Sequence, residues 1–153
     1  MNEVTSKHRF MYAAEAEAMK GIDERHGGPF GGVIVKDGEI VGSGHNTVLR
    51  DNDPTCHGEM NAIRDACKNL GTFDLSGCEL YTTGYPCPMC LCATRWANIK
   101  KIYYGCTLED NASIGFRDVE FTEELGYILD EQIDYQGCRS LFDTYLETNP
   151  QNY

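Results

Sequence analysis

Residues 84–92, GYPCPMCLC, place Cys87, Cys90 and Cys92 within six residues, with Pro86 and Pro88 among them. Any fold of this chain must house that cluster, so its flanks constrain the architecture. CELYTT, at 78–83, has the apolar and β-branched content of a buried strand. From Pro86 the pattern changes to a helix running to about Ala97, with proline suited to its first turn. KKIYYG, at 100–105, is a further strand. The thiols therefore sit where a strand hands over to a helix. A Cys-x-x-Cys pair in a first helical turn points both sulfurs at one place.

The segment before this unit is organised in the same way. Residues 4–25 predict an amphipathic helix, with Phe10, Ala13, Ala14, Ala18 and Met19 near 3.6 spacing, stopped by Gly27-Gly28-Pro29. FGGVIVKDGEIVGSGHNTV follows as a β-hairpin, with Asp37-Gly38 suited to the positive φ angles of a type I′ turn. Asp53-Pro54 then predicts a helix start, with Asp as N-cap and Pro at the first helical position. Met60, Ile63, Cys67 and Leu70 form its expected buried stripe, and Gly71 ends it. After residue 105 come a Gly/Asp-rich loop to 118, short elements, and a helix from about Arg139 to Glu147. The order α-β-β-α-β-α-β predicts a central sheet with helices on both faces.

Charge narrows the partners. The chain carries 13 basic against 24 acidic residues, a net charge of −11, with no basic run longer than Lys100-Lys101. A protein that grips a phosphate backbone needs clustered Lys and Arg, so a small neutral ligand is expected and nucleic acid is not. No apolar run approaches the ~20 residues of a membrane span, so no membrane partner is expected. Glu3, Glu15 and Glu17 stand where a signal peptide would be apolar, which predicts a cytoplasmic protein. In that reducing compartment the eight cysteines are expected to be free thiols. Several are simply small core residues.

His57-Gly58-Glu59 falls in the first turn of the second helix, as Pro86-Cys87-Pro88-Met89-Cys90 does in the third. The positive end of a helix macrodipole favours thiolate, the form that binds metal. A neutral imidazole from a neighbouring helix start adds a third ligand. Three protein ligands leave one tetrahedral position open, as a catalytic Zn²⁺ requires. Glu59, two residues from His57, is placed to take a proton from water and pass it on. A structural zinc site would need a fourth ligand from Cys56 or Cys92, and Cys92 is turned off the face shared by Cys87 and Cys90. A thioredoxin-like redox pair would leave His57 and Glu59 unexplained.

His-x-Glu followed by Pro-Cys-x-x-Cys, with 29 residues between His57 and Cys87, is the signature of zinc deaminases. With GGPFGGVIVKDGEIV, NDPTCHGEMNAIRDACKNLG and GFRD matching in order, over roughly residues 10–118, the chain resembles the cytidine deaminase superfamily. Within it the resemblance is to bacterial guanine deaminases and related purine deaminases. The resemblance implies a single zinc-dependent deaminase domain over residues 1–153. Its fold would be a cytidine-deaminase-like three-layer α-β-α sandwich around a mixed five-stranded sheet. One zinc per chain on His57, Cys87 and Cys90, with Glu59 as proton shuttle, is also implied. So is a homodimer in which a C-terminal tail of about 25 residues is exchanged with the partner subunit. The activity implied is deamination of guanine to xanthine plus ammonia. Other amines (cytosine, isoguanine or guanosine) are the first alternative, and a non-catalytic zinc-stabilised binding protein is the second. The negative charge disfavours a tRNA substrate.

Substrate residues rest on the same resemblance. Asn46 can donate and accept at once, suiting a base edge, or is a turn asparagine. Phe30 is either a stacking surface for a planar base or a core aromatic, and Trp96 is either pocket wall or core. Asp118, in GFRD, matches an acid near the purine amino group, or is a solvated loop residue. Tyr153 ends the tail that closes the site in the resembling enzymes. His26 and His45 are assigned surface or loop roles. Three positions depart from the relatives. Gly58 stands where Ala is usual and, not being a ligand, is expected to matter little. Tyr85 replaces Glu before Pro-Cys, and Cys56 replaces a small residue beside His57.

Overall fold

Two compact units, Met1–Glu123 and Glu124–Tyr153, make up the chain, and a computed structural model describes residues 3–123 and 132–148. The first unit opens with α1 (Glu3–Asp23), followed by the hairpin β1 (Gly31–Lys36) and β2 (Glu39–His45). A single turn, α2 (Val48–Asp51), precedes α3 (Gly58–Leu70), β3 (Cys78–Gly84), α4 (Pro88–Trp96) and β4 (Lys101–Cys106). Short helices α5 (Leu108–Ser113) and α6 (Glu120–Glu123) complete this unit. In the second unit, α7 spans Tyr135–Glu147 and begins one turn before the expected Arg139.

The sheet order is β2-β1-β3-β4. β1 runs antiparallel to β2 and β3, and β3 pairs parallel with β4. The hairpin turn is as expected, with φ of +49° at Asp37 and +79° at Gly38. The sheet is mixed, but among the described residues it has four strands rather than the five expected. After β4, Thr107 and Asp110 close a reciprocal capping box, with Thr107 N donating to Asp110 Oδ2 at 2.8 Å and Asp110 N to Thr107 Oγ1 at 3.2 Å. That cap turns the chain into α5 directly after β4.

Strand alternation feeds two cores, one on each face. Val33, Val35 and Tyr81 pack with Phe10 and Ala14 of α1. On the opposite face, Ile34 and Leu80 pack with Ala62 and Ala66 of α3 and with Ala97 and Ile99 beyond α4. The first unit is thus a three-layer α-β-α arrangement. Each large apolar side chain buried there contributes roughly 1.5–3 kcal/mol.

α3 corrects two expectations. It starts at Gly58, with His57 as N-cap, and not at Asp53-Pro54. The Asp53 carboxylate instead accepts from Thr55 N at 2.8 Å and forms a turn of its own. The fully buried face is Gly58, Glu59, Ala62 and Ala66. Ile63, Cys67 and Leu70 flank that face, partly buried against the core. Small residues carry the contact because they let the helix lie close to the sheet.

Three side chains fix α3 along the outer side of β2. Asn61 Nδ2 donates to His45 O at 2.8 Å, Asp65 Oδ2 accepts from Ser43 N at 2.9 Å, and Asn69 Nδ2 donates to Val41 O at 2.9 Å. Their spacing of four follows the helix while their partners' spacing of two follows the strand.

Candidate metal centre and its rim

The two helices that reach the site give up their N-cap positions to reactive residues. His57 caps α3 with φ −72° and ψ 161°, and Cys87 caps α4 with φ −64° and ψ 166°. Neither side chain makes a capping hydrogen bond. A Ser, Thr, Asp or Asn there would add about 1 kcal/mol through a capping bond. Instead both side chains turn to a common point, where each helix presents its positive end.

His57 Nδ1 lies 3.5 Å from Cys87 Sγ and 3.6 Å from Cys90 Sγ. The three donor atoms all fall within 4.8 Å of one another. A tetrahedral zinc, with nitrogen at about 2.0–2.1 Å and sulfur at about 2.3 Å, holds nitrogen and sulfur roughly 3.6 Å apart. The residues therefore fit one zinc ion in separation as well as in kind. Cys90 donates to Cys87, which together with His57 holds the Cys87 thiol well below its usual range despite burial. The same bond, with burial, pushes the Cys90 thiol up. The His57 imidazole is raised by its bond to Cys87. A dication held by these three donors would require both thiols deprotonated and the imidazole neutral. Cys92 is exposed and outside this group.

Glu59 is 4% exposed, with Thr82 Oγ1 3.3 Å from its Oε1. Burial pushes this carboxyl up, and the negative Cys87 sulfur adds to the effect, against an opposing bond from its own backbone N–H. The sequence reading missed Thr82. The available signal was periodicity: Thr82 shares a face with the core residue Leu80, so a polar side chain sits where an apolar one belongs.

The rim comes from separate loops. Phe30 meets Phe116 edge-on, with ring centroids 4.8 Å apart. Asn46 is 4% exposed, and its backbone N–H donates to Phe30 O at 2.9 Å. Asn46 Oδ1 accepts from Val48 N at 3.0 Å, which turns the amide NH₂ toward other partners. Thr47 N donates to Cys56 O at 2.9 Å, tying this loop to the residue before His57. Asp118 is near enough to His57 and Cys87 for their charges to act on it, and burial pushes its carboxyl up. Asn111, also missed, holds Asp118 Oδ2 at 3.2 Å.

Several sequence expectations need correction here. Trp96 is 66% exposed at the last residue of α4, the end away from the ligand Cys87. At 1.5 Å per residue that is roughly 13 Å along the helix axis. It is neither core nor placed with the ligands. Tyr153 lies outside the described residues. Tyr85 turns its ring edge-on to Tyr104, at 4.9 Å, and sends only its carbonyl toward Asn111. Gly58 matters more than expected, since a Cβ there would sit 2.8 Å from Phe30 O. That carbonyl is the acceptor for Asn46. His26 and His45 are partly buried and joined, with His26 Nδ1 2.9 Å from His45 Nε2 and His45 Nδ1 3.0 Å from Glu17 Oε2.

Comparison with known proteins agrees with this geometry. Residues 4–106 match the family described as the cytidine and deoxycytidylate deaminase zinc-binding region. Guanine deaminase of Bacillus subtilis (strain 168) is 47% identical over 116 residues, covering 76% of this chain and 74% of that one. The X-ray structure of guanine deaminase from Bacillus subtilis superposes with a TM-score of 0.90 at 40% identity, covering 100% of this chain and 99% of the other. The tRNA-specific adenosine deaminase of Aquifex aeolicus (strain VF5) is 44% identical over 98 residues, covering 64% of each chain. With its paired helix starts converging on His57, Cys87 and Cys90, this chain belongs to the zinc-binding cytidine and deoxycytidylate deaminase family.

Proposed function

We propose that this protein is a zinc-dependent guanine deaminase, converting guanine and water to xanthine and ammonia. The observation that carries the reading is the match to a guanine deaminase along the whole chain at a TM-score of 0.90, over a ligand group that fits zinc. Bound zinc, held by His57, Cys87 and Cys90, supplies a Lewis acid that makes water nucleophilic near neutral pH.

The chain's own residues do the rest. Glu59 accepts a proton from the attacking water and delivers it to the ring nitrogen beside C2. A C–O bond forms at C2. The new hydroxyl at C2 then gives its remaining proton, through Glu59, to the amino group, and as the C–N bond breaks C2 becomes a carbonyl and ammonia leaves. Thr82 supports the Glu59 carboxyl at its inner oxygen. Asn46, whose amide oxygen is already occupied by Val48, offers its NH₂ to the purine carbonyl. Asp118 accepts from the purine N–H groups, and Phe30 provides an apolar face for the ring. A pyrimidine would leave Asp118 unpaired, a loss of roughly 1–3 kcal/mol.

The proposal includes a cytoplasmic location and no nucleic-acid partner, supported by the net charge of −11 and by free thiols at the described cysteines. It also includes a single functional domain over 1–153 and a homodimer, with Tyr153 in a tail that closes the site. No helix among the described residues is long and apolar enough to cross a membrane.

The deciding experiment is ammonia release from zinc-loaded protein with guanine, isoguanine, cytosine and guanosine side by side. Guanine is expected to be fastest. Cytosine outpacing guanine would sink the purine reading, and zinc-replete protein that releases ammonia from none of them would leave a binding protein. Light scattering should give twice the mass of the chain.

A further inference from the structure

Asn111 is 2% exposed and is neither a metal ligand nor one of the base-facing residues expected from the sequence. Its Nδ2 lies 3.3 Å from Tyr85 O and 3.2 Å from Asp118 Oδ2. A primary amide carries two N–H bonds, so one nitrogen serves both acceptors. Both contacts leave α5, which is already capped by Thr107 and Asp110 and needs nothing from this amide. The backbone carbonyl of Asn111 also accepts from Phe116 N at 3.2 Å. Phe116 is the ring set against Phe30. One buried residue thus ties together the carbonyl two positions before Cys87, the Asp118 carboxylate and the turn behind Phe30.

We infer that Asn111 is a positioning residue for base recognition, fixing the Asp118 carboxylate relative to the loop that carries Cys87. This deepens the guanine deaminase reading and rests on its placing Asp118 against the base. Two acceptors pulled on by one nitrogen cannot drift apart. The distance from the recognition carboxylate to the ligand loop is therefore set by a single side chain. Asp at this position would face both acceptors with a third and reverse both contacts. An aliphatic residue would release both.

The test is a double-mutant cycle on the zinc-loaded enzyme with Asn111→Ala, Asp118→Ala and the pair. It is read by kcat and KM for guanine and by calorimetric binding of the product xanthine. Asn111→Ala should weaken xanthine binding and raise KM by about tenfold to a hundredfold, with kcat changed less and zinc retained. If Asn111 acts through Asp118, the double variant is no worse than Asp118→Ala alone. Losses that add, or wild-type xanthine affinity in Asn111→Ala, overturn the assignment. Should Asn111→Ala lose zinc or fold, the isosteric Asn111→Asp takes its place and must show the same coupled loss. The wild-type enzyme is measured first. If it does not deaminate guanine, the substrate reading falls by itself, and the cycle runs on the base it does deaminate, where missing coupling still overturns the role of Asn111.

Discussion

The metal side of the site and the rim proposed to face the base are built by opposite means. His57, Glu59, Cys87 and Cys90 lie on two helix starts, each a short run of consecutive chain held from behind by a strand or a core. Phe30, Asn46 and Asp118 come from three loops whose positions depend on hydrogen bonds to other segments of the chain. Local geometry makes the first region tolerant of what surrounds it. The second is only as well placed as its cross-links: Asn46 N to Phe30 O, Thr47 N to Cys56 O and Asn111 to Asp118. On the proposed reading, chemistry can therefore stay constant while base choice shifts with small changes at these links.

The largest effect that would break this contrast is at a ligand. Cys90→Ala should lose bound zinc and all detectable turnover, with a lower Tm, because a metal-binding free energy is also folding free energy. Cys92→Ala should keep metal and rate. Metal analysis on the two variants decides it, and zinc loss from Cys92→Ala would mean the ligand set is misassigned. Next is Glu59→Gln, which preserves shape but cannot carry the proton. kcat should fall by about 10²–10⁴-fold with zinc content unchanged, and near-normal kcat would remove Glu59 from the chemistry.

A smaller effect lies on the border between the two regions. Gly58→Ala adds a Cβ 2.8 Å from Phe30 O, a backbone atom that must give way and that anchors Asn46. KM for the base should rise about threefold to tenfold, with zinc and kcat nearly intact. An equal fall in kcat and metal content would instead place the disturbance at His57. The smallest effect tests the outer support of the recognition side. Burial alone would raise the Glu17 carboxyl, but hydrogen bonds from His45 and Lys20 outweigh it and hold it below its ordinary value of 4.5. A depressed carboxyl stabilises the fold above its unfolded value and loses that contribution as pH falls through the folded one. Glu17→Gln should therefore lower Tm near neutral pH, by less than about 1 kcal/mol in stability. The gap to wild type should close on acidification below about 4.5. A gap that widens in acid would refute the assignment.

Much of the metal side was legible because it is local. A sequence shows that His57 and Glu59 are two apart, and that Cys87 and Cys90 share a helical face. The helix starts themselves were placed too early, at Asp53 and Pro86, because capping preferences reward aspartate and proline. Here His57 and Cys87 hold those positions for another purpose. The strands, the hairpin turn and the two-faced core follow from alternation and were readable. Asn111 and Thr82 were not assigned: periodicity marks Thr82 as a polar residue on a core face without showing that Glu59, 23 positions earlier, meets it, and Asp118, seven positions after Asn111, lies in a loop with no period to place it. Gly58 misled for the same reason: its neighbour across the fold is Phe30, 28 positions earlier in the chain. Trp96 suggested a pocket wall by its chemistry, yet the length of α4 carries it to the exposed end.

The row formed by Asn61, Asp65 and Asn69 has a consequence for how copies of this chain meet. A terminal strand with free amides and carbonyls is a template on which another strand can add, and proteins commonly blunt it with lysine, proline or a bulge. At β2 the template is already read by the protein's own helix, residue for residue at Val41, Ser43 and His45. Sheet growth from this side would first require α3 to peel away, and with it His57. The strand edge and the helix start that carries the ligand histidine are thus held in place by the same row of three side chains.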